Sequence, residues 1–356
     1  MILAWRDRLL GRAGFQRWAA RFFLTRGMAR REARALFDIC AGFVYAQVLA
    51  ACVALELFER VAAGPVPVAA LGLACAVPEP EMRTLVTAAD SLRLLRLHGD
   101  SVRLGPLGAA LRGNPGITAM VAHHALFYAD IADPVALLRG EVATRLGNFW
   151  PYRGQNGQPA AYSALMAATQ PMIAAQVLDG YDVSRHRMLL DIGGGDGSFL
   201  RHVAARAPRL RLQLFDLPEV AALAGVNLRE AGLAARAEVF AGDFDSMPLP
   251  QGADLITLIR VLHDHDDDRA LRILRVARQA LPPGGMLLLA EPLAGARHAE
   301  PVGTAYFGFY LLAMGSGRAR RAEEISALLR QAGFSRVAQL PTRQPILTGL
   351  ITARAD

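Results

Sequence analysis

The stretch Leu189-Leu-Asp-Ile-Gly-Gly-Gly-Asp-Gly-Ser-Phe199 decides the fold. A short aliphatic run ends at Ile192, glycine fills four of the five positions from 193 to 197, and a helical pattern starts near Ser198. Glycines let the backbone turn sharply and approach a ligand with no Cβ in the way. A loop at the carboxyl end of a strand is where open α/β sheets bind ligands. The spacing Gly193-x-Gly195-x-Gly197 is one residue short of the dinucleotide fingerprint. Asp191, just ahead of the loop, would repel a pyrophosphate and suits a cationic ligand.

Short apolar runs bounded by turn signals surround this loop, at 188–192, 210–215, 237–241, 254–259 and 286–290. Longer amphipathic segments separate them, which predicts a doubly wound, Rossmann-like α/β sheet. Asp216, followed by Leu217, ends the second run 19 residues past Gly197, where an acid accepts hydrogen bonds from ribose hydroxyls. Asp243 and Phe244 end the third, placed to accept from an adenine amino group and to stack on the ring. Together with Asp191 these acids describe a ligand with a cation, a ribose and an adenine. S-adenosylmethionine, with its ammonium and sulfonium, fits that description.

The fourth run leads into Arg260-Val-Leu-His-Asp-His-Asp-Asp-Asp268. Arg260 joins the cofactor-binding set. His263 and His265 stand two apart at a strand–helix junction with no second cluster to complete a metal site. The aspartates also read as a solvated helix cap. His263 is the candidate general base.

The remaining chain bounds the architecture. At 356 residues and 53% apolar composition, two domains can each bury a core. The net charge is +7, and all 39 basic residues are arginine, a usage that reads as codon bias before phosphate recognition. Arg6, Arg8, Arg12, Arg17, Arg21, Arg26, Arg30, Arg31 and Arg34 face only Asp7 and Glu32 over the same span. This arm reads as a solvated first helix or as a surface for an anionic membrane or nucleic acid. Cys40, Cys52 and Cys75 have no metal or redox spacing and read as small apolar residues. No secretory signal pattern is expected at the N-terminus. The apolar run Ile39–Leu55 carries Gln47 and precedes Glu56, and is expected to be a buried helix within a longer one over 36–61. Helices over 68–76 and 79–97, a turn at 98–100 and a strand at 102–104 make a winged-helix pattern. The 79–97 helix is mainly apolar, with Arg83, Arg93 and Arg96, which favours dimerisation over nucleic-acid binding. Three regions follow: 1–110, an arm and winged-helix-like dimerisation domain; 111–180, a helical connection with a polar loop at 152–159; and 181–356, the cofactor domain.

The motifs at 189–199, 215–220, 241–248, 261–267 and 283–293 occur in an order that resembles the class I O-methyltransferases related to caffeate and acetylserotonin enzymes. The resemblance covers almost the whole chain and implies S-adenosylmethionine as methyl donor and a homodimer built by the N-terminal domain. It implies that His263 is the base of a His-Asp-Trp motif, with His265 in place of Trp. It also implies that Glu291, 28 residues on, orients that base. The family's second glutamate falls at Ala319, within Ser316-Gly-Arg-Ala-Arg-Arg321, which points away from a phenolic acceptor. Two further stretches, 37–47 and 161–171, are similar to the carotenoid O-methyltransferases of purple phototrophic bacteria. That narrower resemblance implies O-methylation of the tertiary 1-hydroxyl of acyclic carotenoids such as demethylspheroidene and hydroxyneurosporene, in a pocket of Tyr162, Met166, Thr169, Phe309, Tyr310 and Met314. A phenolic or polyketide acceptor is the alternative. A membrane-dissolved substrate would give the Arg-rich arm a purpose, and a cytoplasmic enzyme peripheral to the inner or photosynthetic membrane is expected.

Overall fold

The computed structural model describes residues 2–149, 159–297 and 299–356, without the side chains of 2, 3 and 159–163. The loop expected at 152–159 lies almost wholly outside them. The chain forms two compact units, Met1–Gly113 and Asn114–Asp356.

The first unit opens with helices α1 (Ile2–Leu10), α2 (Ala13–Arg21) and α3 (Arg26–Ala54). Strand β1 (Val66–Pro67), helices Val68–Cys75 and Glu79–Ser91, and the hairpin β2 (Leu95–His98) and β3 (Ser101–Leu104) follow. The sheet order is β1-β3-β2, with Leu95 opposite Leu104. Met82, Val86 and Ala89 lie on one helix face and are buried with Leu71, Leu95 and Val102. The helix expected to reach residue 97 stops at Ser91, and Leu95–His98 is the first strand of the hairpin. The apolar run continues unbroken through the junction, so periodicity alone cannot place it. Arg93, at φ +62, turns the chain there.

The helix expected to be buried is not. Residues 31–40 of α3 are all exposed, Phe37 at 65% and Ile39 at 79%. Only Cys52, near the C-terminal end, is fully buried, where α3 packs on helix Glu79–Ser91. The apolar run marks a surface of this unit, and the α3 helix is long and apolar enough to cross a membrane by length and composition. Burial pushes the Cys52 thiol up to about 12, so it is an inert packing group.

The second unit is built on a seven-stranded sheet in the order β6-β5-β4-β7-β8-β10-β9. Its strands are β4 (Met188–Ile192), β5 (Arg211–Asp216), β6 (Ala237–Ala241), β7 (Leu255–Ile259), β8 (Met286–Glu291), β9 (Phe334–Leu340) and β10 (Gly349–Ala355). The first five are parallel, as their unbroken apolar runs require when helices cover both faces. Separate apolar clusters sit on the two faces, one around Ile256, Leu274 and Leu287, the other around Leu189, Phe199 and Leu214. Strands β9 and β10, absent from the sequence reading, add an antiparallel edge. Strand order reverses between β4 and β7, and a ligand crevice opens at such a switch point.

Asp254 fixes the start of β4. Its carboxylate accepts from the backbone N–H groups of Arg187 and Met188 at 3.0 and 2.8 Å and contacts His186 Nδ1 at 3.2 Å. Partial burial works against the charge, but these donors outweigh it and hold the carboxyl below its usual range. A depressed acid contributes stability above its unfolded pKa and loses it as pH falls. Asp254→Asn is expected to cost about 1–3 kcal/mol at neutral pH. The deficit relative to wild type should shrink below about pH 4, in urea melts across that range.

Candidate active site

At the switch point, the carboxyl ends of β4, β5, β6 and β7 enclose a cavity. Asp191, Gly193, Gly195, Asp216, Leu217, Phe244 and Arg260 are among its lining residues. Gly193, Gly195 and Gly197 have φ of +67°, +61° and +82°, the left-handed region that glycine enters without strain. At Gly194 a Cβ would stand 2.7 Å from Leu214 and 2.9 Å from Asp191 Oδ2. Asn227 reaches from helix Pro218–Glu230 to donate to the Asp196 carbonyl at 3.0 Å, and Asp196 accepts from Ser198 N at 3.0 Å.

Asp191 is buried. Its Oδ1 accepts from the Thr257 hydroxyl at 2.7 Å, and Oδ2 is buried without a hydrogen-bond partner. Burial pushes its pKa up to about 7 against the Thr257 bond, and the Asp216 charge adds to the rise. Asp216 accepts from Gly195 N at 2.8 Å and Leu217 N at 2.7 Å, and burial carries it to about 6 in spite of both. Two buried acids with one oxygen unpaired describe a site short of positive charge or of donors.

The next strand end holds the second cluster. Glu291, buried at the end of β8, accepts from Val261 N at 3.0 Å and Leu262 N at 2.7 Å through Oε1. Its Oε2 lies 2.6 Å from His263 Nδ1. On the other side of the ring, Asp264 Oδ1 stands 3.1 Å from Nε2, an ion-pair contact without hydrogen-bond alignment. Burial favours neutral imidazole, but the Asp264 and Glu291 carboxylates outweigh it and raise the His263 pKa above its ordinary value. Burial pushes Asp264 up to about 6 against the pull of His263. His265 lines the cavity, edge-on to Phe244 at 5.7 Å. Burial, Arg269 and His263 press its pKa down to about 3, so it serves as a neutral aromatic ring.

Other expected residues lie elsewhere. The Asp243 carboxylate accepts from Asp245 N at 2.9 Å, closing its own turn. Arg260 does line the cavity, but its guanidinium donates to Thr169 Oγ1 at 2.6 Å, the Met166 carbonyl at 3.1 Å and Gln170 Oε1 at 2.5 Å. Thr169 is therefore a support for Arg260. Tyr310 and Met314 are buried with Phe127 and Phe149, and Tyr310 shares its hydroxyl with His123 at 2.8 Å. Phe309 is 38% exposed. The side chain of Tyr162 lies outside the described residues. Ala319 packs on the Phe127 cluster. Beside it, buried Arg320 donates to the carbonyls of Leu262 and His265 at 2.8 and 2.7 Å. The sequence reading missed Thr257, Asn227, Asp264 and Arg320. Only Thr257, a lone hydroxyl inside an apolar strand, carries a local signal.

The O-methyltransferase domain family matches residues 128–335. Over 97% of the chain and 93% of the relative, the sequence is 42% identical to demethylspheroidene O-methyltransferase of Cereibacter sphaeroides. The chain belongs to the O-methyltransferase family. A second relative of that name, from Rhodobacter capsulatus, is 40% identical over 93% of this chain and 84% of its own length. Among solved structures, PigF with SAH superposes with a TM-score of 0.75 at 25% identity, covering 90% of this chain and 99% of PigF.

In this methyltransferase the unpaired Asp191 oxygen gives a direct test of what the loop receives. An acid whose folded pKa is raised costs stability as pH climbs from the unfolded value near 3.9 toward 7. Asp191→Asn should raise the melting temperature of the ligand-free protein at pH 8, with no such gain at pH 4, while weakening S-adenosylmethionine in calorimetric titrations. A variant that melts lower at pH 8 and binds normally would sink this assignment.

Proposed function

We propose that the protein transfers the methyl group of S-adenosylmethionine to the tertiary 1-hydroxyl of an acyclic hydroxycarotenoid. The observation that carries the acceptor is the 42% identity over 97% of the chain to a demethylspheroidene O-methyltransferase. The donor is supported by the glycine loop, the unpaired Asp191 oxygen and the likeness to PigF with SAH. Asp191, Asp216, Leu217, Phe244 and the backbone of 193–197 would hold it. Arg260 would act on the same cavity by fixing helix Pro159–Gly180. When bound, the donor supplies an electrophilic methyl group on a sulfonium.

His263 is the base. Glu291 occupies Nδ1, so Nε2 is the nitrogen left for the acceptor proton. An alcohol near the pKa of water, ~15.7, and a histidine near 6.5 make full prior deprotonation cost about 12 kcal/mol. That is too steep for a separate step. Proton transfer to Nε2 therefore accompanies attack: the oxygen–hydrogen bond breaks as the oxygen–carbon bond forms and carbon–sulfur opens. Glu291 and Asp264 stabilise the imidazolium as it appears. Alignment of oxygen, carbon and sulfur supplies much of the remaining acceleration. Phe307, edge-on to His263 at 5.9 Å, and Tyr306, edge-on to Phe307 at 5.1 Å, are part-buried aromatic rings that would suit a conjugated acceptor. The exposed apolar side of α3 would pair with a second copy, giving a homodimer in the cytoplasm.

His263→Ala should keep S-adenosylmethionine affinity and lose turnover by roughly 100-fold or more. In wild type, activity rises with pH through a pKa above the ordinary histidine value. Glu291→Gln removes one carboxylate that favours the imidazolium, so the acid limb of kcat/KM should move to lower pH while kcat falls. An acid limb that stays in place means Glu291 does not set the His263 charge.

The acceptor is checked with labelled S-adenosylmethionine, a panel of 1-hydroxylated acyclic carotenoids in detergent, and a parallel panel of phenols. Label is expected in the carotenoids; label in the phenols alone overturns the acceptor.

A further inference from the structure

We propose that α1, α2 and the turn after them dock the protein onto an anionic lipid bilayer. On α2, Phe15 and Trp18 share one face at i, i+3 spacing, and Phe22, the residue that caps the helix at its C-terminal end, follows Trp18 four residues on. Their rings form a ladder, Phe15 to Trp18 at 5.6 Å and Trp18 to Phe22 at 5.0 Å, and Phe23 extends it at 5.1 Å. These rings are not core. Trp18 is 51% exposed, Phe23 68% and Leu24 71%, and Trp5 on α1 is 66% exposed. Ala19 is the one residue of α2 that is buried.

Charge selects the occupant. Residues 2–26 hold six arginines against one acid, Asp7, which Arg6 already binds at 2.8 Å. Arg8, Arg12, Arg17, Arg21 and Arg26 are exposed. Arg17 and Arg21, one turn apart, form a row beside the aromatic face. A second copy of the arm would bring like charges together, whereas an anionic headgroup layer complements them. Helices with Trp, Phe and Leu on one side and arginine alongside lie in the plane of a bilayer interface. Indole rings favour that depth, and each basic residue near an anionic leaflet adds to the attraction. The C-terminal end of α3 is packed into the first unit at Cys52, so the contact is peripheral and α3 does not enter the bilayer there. The proposal stands on the arm's own geometry and does not depend on which acceptor is methylated.

Full-length protein is sedimented with vesicles of phosphatidylcholine alone and of phosphatidylcholine mixed with phosphatidylglycerol. Binding is expected only to the mixed vesicles and is expected to fall as salt is raised. The triple variant Arg12→Gln, Arg17→Gln, Arg21→Gln should weaken partitioning on the order of a hundredfold. A Trp18→Ser, Phe23→Ser variant should also lose it, with circular dichroism and melting unchanged because both side chains are exposed. Equal binding to the two vesicle types, or by wild type and the arginine variant, overturns the proposal. So does a Trp18→Ser, Phe23→Ser variant that changes oligomeric state in lipid-free buffer, because the face would then cover a second copy. No acceptor enters the assay, so its failure is separate from any failure of the carotenoid reading.

Discussion

Glu291 is the group on which the site depends. Its carboxylate is buried, and a buried charge is tolerated only when its lone pairs are filled. Here three donors fill them: the N–H groups of Val261 and Leu262 and the ring of His263. The first two fix the backbone leaving β7, and the third fixes the imidazole. One side chain at the end of β8 therefore sets the position of the chain that crosses the switch point and the tautomer of its histidine. Removing one partner from such a group is costly, because the rest is left buried and uncompensated. The geometry of His263 is thus tied to the packing of β7 against β8 inside the sheet.

The cofactor side of the crevice is built the opposite way. Asp191 and Asp216 are both buried, the Asp216 charge adds to the cost of ionising Asp191, and Asp191 keeps one oxygen unpaired. The loop glycines accept positive φ so that Gly195 N can reach Asp216. The chain holds these acids against their tendency to protonate, which makes the site ready for a cation and for hydroxyl donors. Gly317 packs against the histidine side of the crevice. A Cβ there would collide with the His263 carbonyl, so segment 315–321 lies flat against the catalytic loop, and Arg320 ties it down from beneath.

Much of this was legible because it is local. The glycine loop, the acids at the strand ends and the His263–Glu291 spacing all sit at strand–helix junctions, where residue type and position jointly specify chemistry. What escaped is non-local. β9 and β10 pair antiparallel at the sheet edge, where Ser335, Arg336 and Gln339 interrupt the apolar pattern. The run 39–55 is as apolar as a core helix, and only its lack of neighbours in the folded unit shows it to be surface. Asp264 was read as part of a capping cluster, yet it stands 3.1 Å from His263 Nε2. The family resemblance implied Thr169 as pocket lining, but its hydroxyl is taken by Arg260.

Arg260 shows why that last distinction matters. It is a non-glycine residue at φ +60°, a conformation that costs an L-residue roughly 1–2 kcal/mol. Its backbone N–H donates to Ala290 at 2.8 Å, and its guanidinium donates three ways into helix Pro159–Gly180. These bonds offset the strain and make the turn after β7 and that helix one mechanical piece. The helix contributes Met166 and Gln170 to the cavity that the glycine loop lines from the other side. A short alternative at 260 would relax the backbone and release the helix together. The strained arginine therefore fixes the helix wall of the cavity relative to its glycine loop, a spacing that the proposed in-line methyl transfer could not tolerate varying.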